Sequence, residues 1–283
     1  MNKLNFSLLA LILAFFLTSC GDDNSGDGVG AMDIEFDNIA VVNDIQRQLT
    51  LVTPGSDDYN YTNGLNQDFN INLLRYYISN IILEGPNGEF FEDEVHVDLD
   101  HAHGIYLIDE SDLSTGLIRL ENIPEGEYNK ITFMVGVDEA NVQEGAAGGV
   151  LDPATCNMFW NWNSGYVALI FEGQSAVSAG GASGQTVITG NTDGLAFHVG
   201  GWRDIEGTAF VNNNQTLSYT FDTNAKVKEG ELPEVHMVFD VLKMFEGQNL
   251  IDFTGNNNVH KPTDGTPIAE NLAGAFAFDH IHQ

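Results

Sequence analysis

The chain has 283 residues, and 41 acidic side chains against 10 basic ones give it a formal net charge of −31. Nucleic acid and anionic membrane surfaces need a basic face, so both are poor direct partners. The charge suits cations without choosing among them, and no D-x-[DN]-x-[DN]-G loop with a downstream glutamate points to calcium.

Residues 1–20 read as a bacterial lipoprotein signal. Lys3 supplies a positive start, Leu8 to Leu17 is an apolar run too short for a bilayer of roughly 30 Å, and Leu17-Thr18-Ser19-Cys20 ends in the cysteine that receives lipid. The expectation is therefore a lipid-anchored outer membrane lipoprotein, periplasmic or at the cell surface. Residues 21–30 (GDDNSGDGVG) form a flexible acidic tether. About 263 residues then remain, and residues 31–283 are read as one domain without internal repeats. Of the two cysteines only Cys156 is left once Cys20 is acylated, so no disulfide holds the fold. Burial as a small apolar side chain is the expected fate of that thiol.

Strand signals dominate from there on. Asp33 to Val42 alternates in part, with Ile34 and Phe36 on one face, and Phe69 to Leu83 is a long β-branched and aromatic run. Gly85-Pro86-Asn87-Gly88 turns the chain and Phe90-Phe91 begins the return. Tyr128 to Val137 sets Ile131, Phe133, Val135 and Val137 against Tyr128, Lys130 and Thr132. Further strands are expected at Tyr166–Phe171, Gln185–Thr189, Gly194–Val199, Leu217–Phe221 and Glu234–Val241, with short helices or turns at Asn141–Gly149 and Leu242–Gly247 and a small-residue loop at Ala176–Gly184. Short strands separated by Gly, Asn and Asp clusters predict an all-β fold, a single antiparallel β-sandwich with helix confined to short turns.

Four histidines lie in segments that invite chemistry. His198 precedes the Gly200-Gly201 pair, where backbone can approach closely, and His236 shares a strand face with Val238 and Asp240. His280 and His282, separated by Ile281, point to one face if the C-terminus is a strand. Taken singly, His198 and His236 are more often satisfied core residues and the terminal pair is equally a solvated tail, and only convergence would make a site. Trp160 and Trp162, one residue apart, share a face in extended chain, and an aromatic core plug is the plain alternative. His101 and His103 suggest a second metal site, set against a solvated polar edge.

Several of these segments together resemble the MbnP-like family of copper-binding proteins, common as lipoproteins in Bacteroidetes. They are Tyr76-Tyr77-Ile78-Ser79-Asn80, Gly136-Val137-Asp138, Leu151-Asp152-Pro153-Ala154, Met158-Phe159-Trp160-Asn161-Trp162-Asn163-Ser164-Gly165-Tyr166, Phe197-His198-Val199-Gly200-Gly201, Glu234-Val235-His236-Met237 and Asp279-His280-Ile281-His282. The resemblance implies one copper ion bound by histidines, helped by a tryptophan oxidised to kynurenine. It implies as partner a diheme c-type cytochrome of the MbnH, peroxidase-like group. Carried onto this chain, the copper candidates are His198, His236, His280 and His282, and the oxidised residue is Trp160 or Trp162. Imidazole suits copper, and kynurenine offers an amine and a carbonyl where indole offers only a donor N–H. Asp240 and Asp279 are the candidate orienting carboxylates. The histidine-rich stretch Val95–His103 and Cys156 beside the tryptophans depart from the family pattern.

The functional expectation is an extracytoplasmic lipoprotein that stores, delivers or senses copper. It is expected not to be an enzyme, since there is no nucleophile elbow, no C-x-x-C-H and no H-E-x-x-H. An adhesion or carbohydrate-binding β-sandwich is the alternative.

Overall fold

A computed structural model describes residues 28–138, 147–160, 165–179, 193–201 and 211–283, together with the backbone alone of Asn161. The expected signal, Cys20, nearly all of the tether, Trp162, the strand at 185–189 and most of the turn at 141–149 lie outside these residues.

The first half of the domain contributes β1 (Val29–Val42), β2 (Ile45–Gln48), β3 (Tyr61–Thr62), β4 (Asp68–Glu84), β5 (Phe90–Glu92), β6 (His96–Val97), β7 (Ala102–His103), β8 (Ile105–Asp109), β9 (Leu117–Pro124) and β10 (Gly126–Val135). The second half adds a short helix α1 (Pro153–Cys156), then β11 (Phe159–Asn161), β12 (Gly165–Gln174), β13 (Gly194–Gly200), β14 (Gln215–Val227) and β15 (Glu234–Asp240). Helix α2 (Lys243–Glu246), β16 (Asn258–Val259), helix α3 (Pro262–Leu272) and β17 (Phe276–His282) complete it.

Two sheets face each other. The smaller runs β17-β15-β1-β2, with β9 also on β1, and the larger runs β14-β10-β4-β12-β13-β16 with β3, β5, β8 and β11 attached. Period-two alternation aims Met32, Ile34 and Phe36 of β1, and Val235, Met237 and Phe239 of β15, into the space between them. Tyr76, Ile131, Phe133, Phe171 and Phe197 meet them from the larger sheet, all buried. Each large apolar side chain so placed contributes about 1.5–3 kcal/mol. Leu73, Tyr77, Met158, Tyr166 and Ile170 form a second apolar cluster on the opposite, outward face of the larger sheet. The β-sandwich expectation therefore holds. The pairing is antiparallel except at β1–β15 and β13–β16, which are parallel.

One element exceeds expectation. Helix α3 is 11 residues long, not a short turn, and buries Pro262, Gly265, Ile268, Ala269 and Leu272 on one side. Gly265 and the internal Pro267 read as helix breakers, and they hide a helical spacing that tertiary burial stabilises.

A buried polar chain ties the sheets together. The Tyr76 hydroxyl donates to Asn38 Oδ1 at 2.9 Å, and Asn38 Nδ2 donates to Glu110 Oε2 at 2.9 Å. Burial pushes the Glu110 carboxyl up to about 7, against the lowering effect of its bond from Asn38. The folded state thus keeps a proton that the unfolded chain loses near 4.3, so this group's stability contribution falls as pH rises from about 4.5 through about 7. Glu110→Gln preserves an acceptor for Asn38 and removes that titration. Urea denaturation should show the variant more stable than the parent at pH 8 by roughly 1–3 kcal/mol, with the advantage gone near pH 4.5.

Candidate metal centre

The alternation that aims Val235, Met237 and Phe239 into the core sends His236 out of it, onto the outer face of the smaller sheet. His236 lies between β1 and β17, with Glu35 opposite it on one side and His280 on the other. His282 pairs in register with Glu234 on the same face.

A β-bulge makes this possible. Counting by twos from the inward Phe276 and Phe278 would carry His280 and His282 inward as well. The register between β15 and β17 shifts between His236 and Met237, so Asp279 has no partner. That extra residue changes the phase of the strand: Ile281 packs against the core, and both imidazoles join His236 outside. The tail is held in place. The Gln283 side chain accepts from Lys226 N at 3.2 Å and donates to Asn224 O at 2.8 Å, both on β14.

The three rings converge. Centroids are 4.2 Å apart for His236–His280, 5.0 Å for His236–His282 and 4.7 Å for His280–His282. One ring nitrogen from each lies within 4.8 Å of the others, and His280 Nε2 is 3.1 Å from His282 Nε2. Donors bound to one ion at about 2.0–2.1 Å lie no more than about 4.2 Å apart, a separation that the His280–His282 nitrogens already meet. Carboxylates surround the group. His236 Nδ1 faces Glu35 Oε2 at 3.0 Å and Asp37 Oδ2 at 3.3 Å, its Nε2 faces Glu234 Oε1 at 2.7 Å, and His280 Nδ1 faces Asp279 Oδ2 at 2.9 Å. Burial pulls His236 down, but the bonds to Asp37 and Glu234 and the charge of Glu35 outweigh it, so its pKa ends above the ordinary value. Burial, and next the charge of Asp37, raise Glu35. A set of imidazoles ringed by carboxylates has the donor chemistry for copper or zinc.

His198 does not join this group. It sits in register with Ile170 on the outward face of the larger sheet, buried, with Nε2 2.9 Å from Glu172 Oε1 and its ring 4.3 Å from that of His260. The expected joint site of His198 with His236 and the terminal histidines is thereby corrected: the two faces are turned away from each other with the apolar core between them. Gly200, at φ +155°, is where backbone approaches closely, because a Cβ there would overlap the Ala168 backbone nitrogen. Trp160 packs on the apolar cluster of the larger sheet, with its buried Nε1 lacking a hydrogen-bond acceptor among the described residues. It stands apart from the three imidazoles, so of the two tryptophans expected to supply one neighbour of the histidines, Trp160 is not that neighbour, and Trp162 lies outside the described residues. Cys156 is buried, as expected, and its sulfur accepts from Met158 N at 3.3 Å.

His101 and His103 do not converge either. His103 pairs in register with His96, with Nε2 3.8 Å from Asp93, whereas His101 Nδ1 turns to Asp98 at 3.2 Å. Both groups of three close ligand atoms found among the described residues contain His236, and neither contains His101 or His103. Of the two orienting carboxylates, Asp279 reaches His280, while Asp240 caps the Val41 and Leu242 amides. Glu35, Asp37, Glu234, Glu172 and His260 escape a reading of the sequence. Only the alternation of Glu35 and Asp37 with Ile34 and Phe36 signals an acidic strand face.

The MbnP family model matches residues 29–261. The chain belongs to the MbnP family. The match takes in His198, His236 and His260 and ends before His280 and His282. Among solved structures, MbnP from Methylosinus trichosporium aligns with a TM-score of 0.50 at 14% identity, covering 80% of each chain, and so shares the fold. No curated protein matches. For an MbnP chain, the seating of β17 is what assembles the three-histidine face. Phe276 stacks on Phe239 at 4.4 Å and meets the rings of Phe36, Tyr76 and Phe133. Phe276→Ala should cost about 3–5 kcal/mol by chemical denaturation. It should also weaken metal binding through the unseated strand while leaving every ligand in the sequence. Unchanged affinity in a destabilised variant would show that β17 is held elsewhere.

Proposed function

We propose that this MbnP-family protein is an extracytoplasmic copper-binding lipoprotein, with His236, His280 and His282 as its copper ligands. The observation that carries the reading is the convergence of three imidazoles from two paired strands, held in phase by the bulge at Asp279. Family membership favours copper as the ion. Imidazole donors also place Cu(II) at the top of the divalent affinity order. His236 is the buried ligand and His280 and His282 the accessible ones, an arrangement in which copper enters and leaves from the solvent side. That favours storage, delivery or sensing of copper over catalysis. Lipid on Cys20 would hold the domain at the outer membrane, on its periplasmic or outer side.

The tryptophan chemistry belongs, on this reading, to the other face. Oxidation of Trp160 or Trp162 to kynurenine falls to a diheme cytochrome of the MbnH type, and at Trp160 it would set an amine and a carbonyl on the larger sheet. His198, Glu172 and His260 also lie on that sheet. A kynurenine at position 160 would not complete the three-histidine centre.

Replacing His280 and His282 together by Ala should lower Cu(II) affinity by at least 100-fold in a competitive chelator titration. Trp160→Phe should leave the affinity of that centre unchanged. Equal copper binding in the His280→Ala/His282→Ala variant would remove these residues from the ligand set. Acidification supplies a second test. Ligand histidines must be neutral, and His236 holds its proton to higher pH than an ordinary histidine. Affinity should therefore fall with decreasing pH from somewhat above 6.5. For the copper-free protein the sign reverses. The protonated His236 contributes stability below its unfolded pKa of about 6.5, and that contribution is lost as pH rises through the higher folded value. A copper affinity flat between about pH 7.5 and 5 would assign the ion to carboxylates alone.

A further inference from the structure

We propose that His236 is shared by two cation sites, and that Glu35, Asp37 and the Nδ1 edge of His236 bind a second divalent ion of the zinc class beside the copper. The inference deepens the copper reading and rests on it. Parallel pairing of β1 with β15 sets Glu35 directly opposite His236, and Asp37, two residues along the same strand, shares its face. One donor atom each from Glu35, Asp37 and His236 lie within 4.8 Å of one another, independently of His280 and His282. The two groups of close ligand atoms therefore meet at one residue, which has two ring nitrogens to offer. Nδ1 lies 3.0 and 3.3 Å from the β1 carboxylates, and Nε2 lies 2.7 Å from Glu234.

Charge points the same way. Among the described residues, the ion pairs of Glu35, Asp37 and Glu234 are all with His236, and none is with Lys or Arg. Three carboxylates thus share one imidazole. A cavity of about 100 Å³ along the same stretch of β1 is lined by Glu35, Asp37, Asp109 and Glu110, so it adds acid rather than base. Two carboxylates and one imidazole are a harder donor set than three imidazoles, so a single equivalent of copper is held more strongly by the three imidazoles and the carboxylate set is left for zinc. Both carboxylates are part exposed, with side chains 35% and 45% accessible, so an ion can reach them. The proton balance is explicit. A neutral imidazole carries one N–H, so metal on both nitrogens releases that proton to solvent and leaves an imidazolate bridge. The competing role for Glu35 and Asp37 is to accept the Nδ1–H and orient His236 for a single copper ion.

The experiment uses the full metal-free chain, loaded with one equivalent of Cu(II) and titrated with Zn(II), with bound metals counted by elemental analysis after desalting. The expected result is one copper and one zinc per chain, and one copper with no zinc in Glu35→Gln/Asp37→Asn. Loading with two equivalents of Cu(II) instead should give an electron paramagnetic resonance signal well below two spins, because an imidazolate bridge couples them. A zinc count of zero in the parent chain, or one that survives in the double variant, overturns the shared site while leaving the copper reading standing. Absence of copper together with a zinc ion lost in the double variant would sink the copper reading and keep the carboxylate site. Circular dichroism of the double variant establishes that its fold is intact.

Discussion

The seating of the C-terminal strand by Phe276 is the interaction on which the convergence of the three histidines depends. A chain end normally frays, because its last residues bury too little to offset the entropy of ordering them. Here Phe276 lies parallel to Phe239, at an interplanar angle of 2°, and fills a space bounded by rings from both sheets. Phe278 and Ile281 add further apolar contact along the strand. With the strand fixed, the positions of His280 and His282 follow from backbone geometry. They need no contribution from a metal to be brought within reach of His236.

The electrostatics around that cluster are unbalanced in a way that a cation relieves. Glu35, Asp37, Glu234 and Asp279 approach the imidazoles, and among the described residues none of the four pairs with Lys or Arg. In the metal-free protein the carboxylates raise the proton affinity of His236 despite its burial. A proton and a divalent ion are therefore alternatives for the same electron pairs. By contrast, Asp33 on the same strand as Glu35 is satisfied by a bidentate pair with Arg119 at 2.7 and 2.8 Å. Within a few residues of β1, an acid neutralised for structure and two acids left to imidazole stand side by side.

The sandwich also separates two chemistries. The outer face of the smaller sheet carries the three imidazoles. The outer face of the larger sheet carries His198 with Glu172 and His260, and Trp160 on its apolar cluster. A dry aromatic core lies between them, so a ligand formed on one face cannot reach the other without unfolding. Any coupling between Trp160 and the three histidines must pass through the sheets as a change in packing.

Much of the architecture was legible in the residues themselves, because period-two alternation is a local property. Ile131, Phe133 and Val135, or Val235, Met237 and Phe239, declare an inner face wherever they are placed, and His236 and His198 fall out of phase with it. The H-x-H at the terminus likewise guarantees that His280 and His282 share a side. What sequence alone could not determine was which side, or whose company they keep. The bulge at Asp279 reverses the phase that Phe276 and Phe278 set, and it is defined only against the partner strand β15. The parallel pairing of β1 with β15 brings Glu35 to His236 across about 200 residues of chain, and nothing local encodes it. His198 and His236 look equivalent in sequence, each a polar residue on an apolar strand. They end on opposite sides of the molecule because strand order across two sheets, a property of the folded core as a whole, assigns them there.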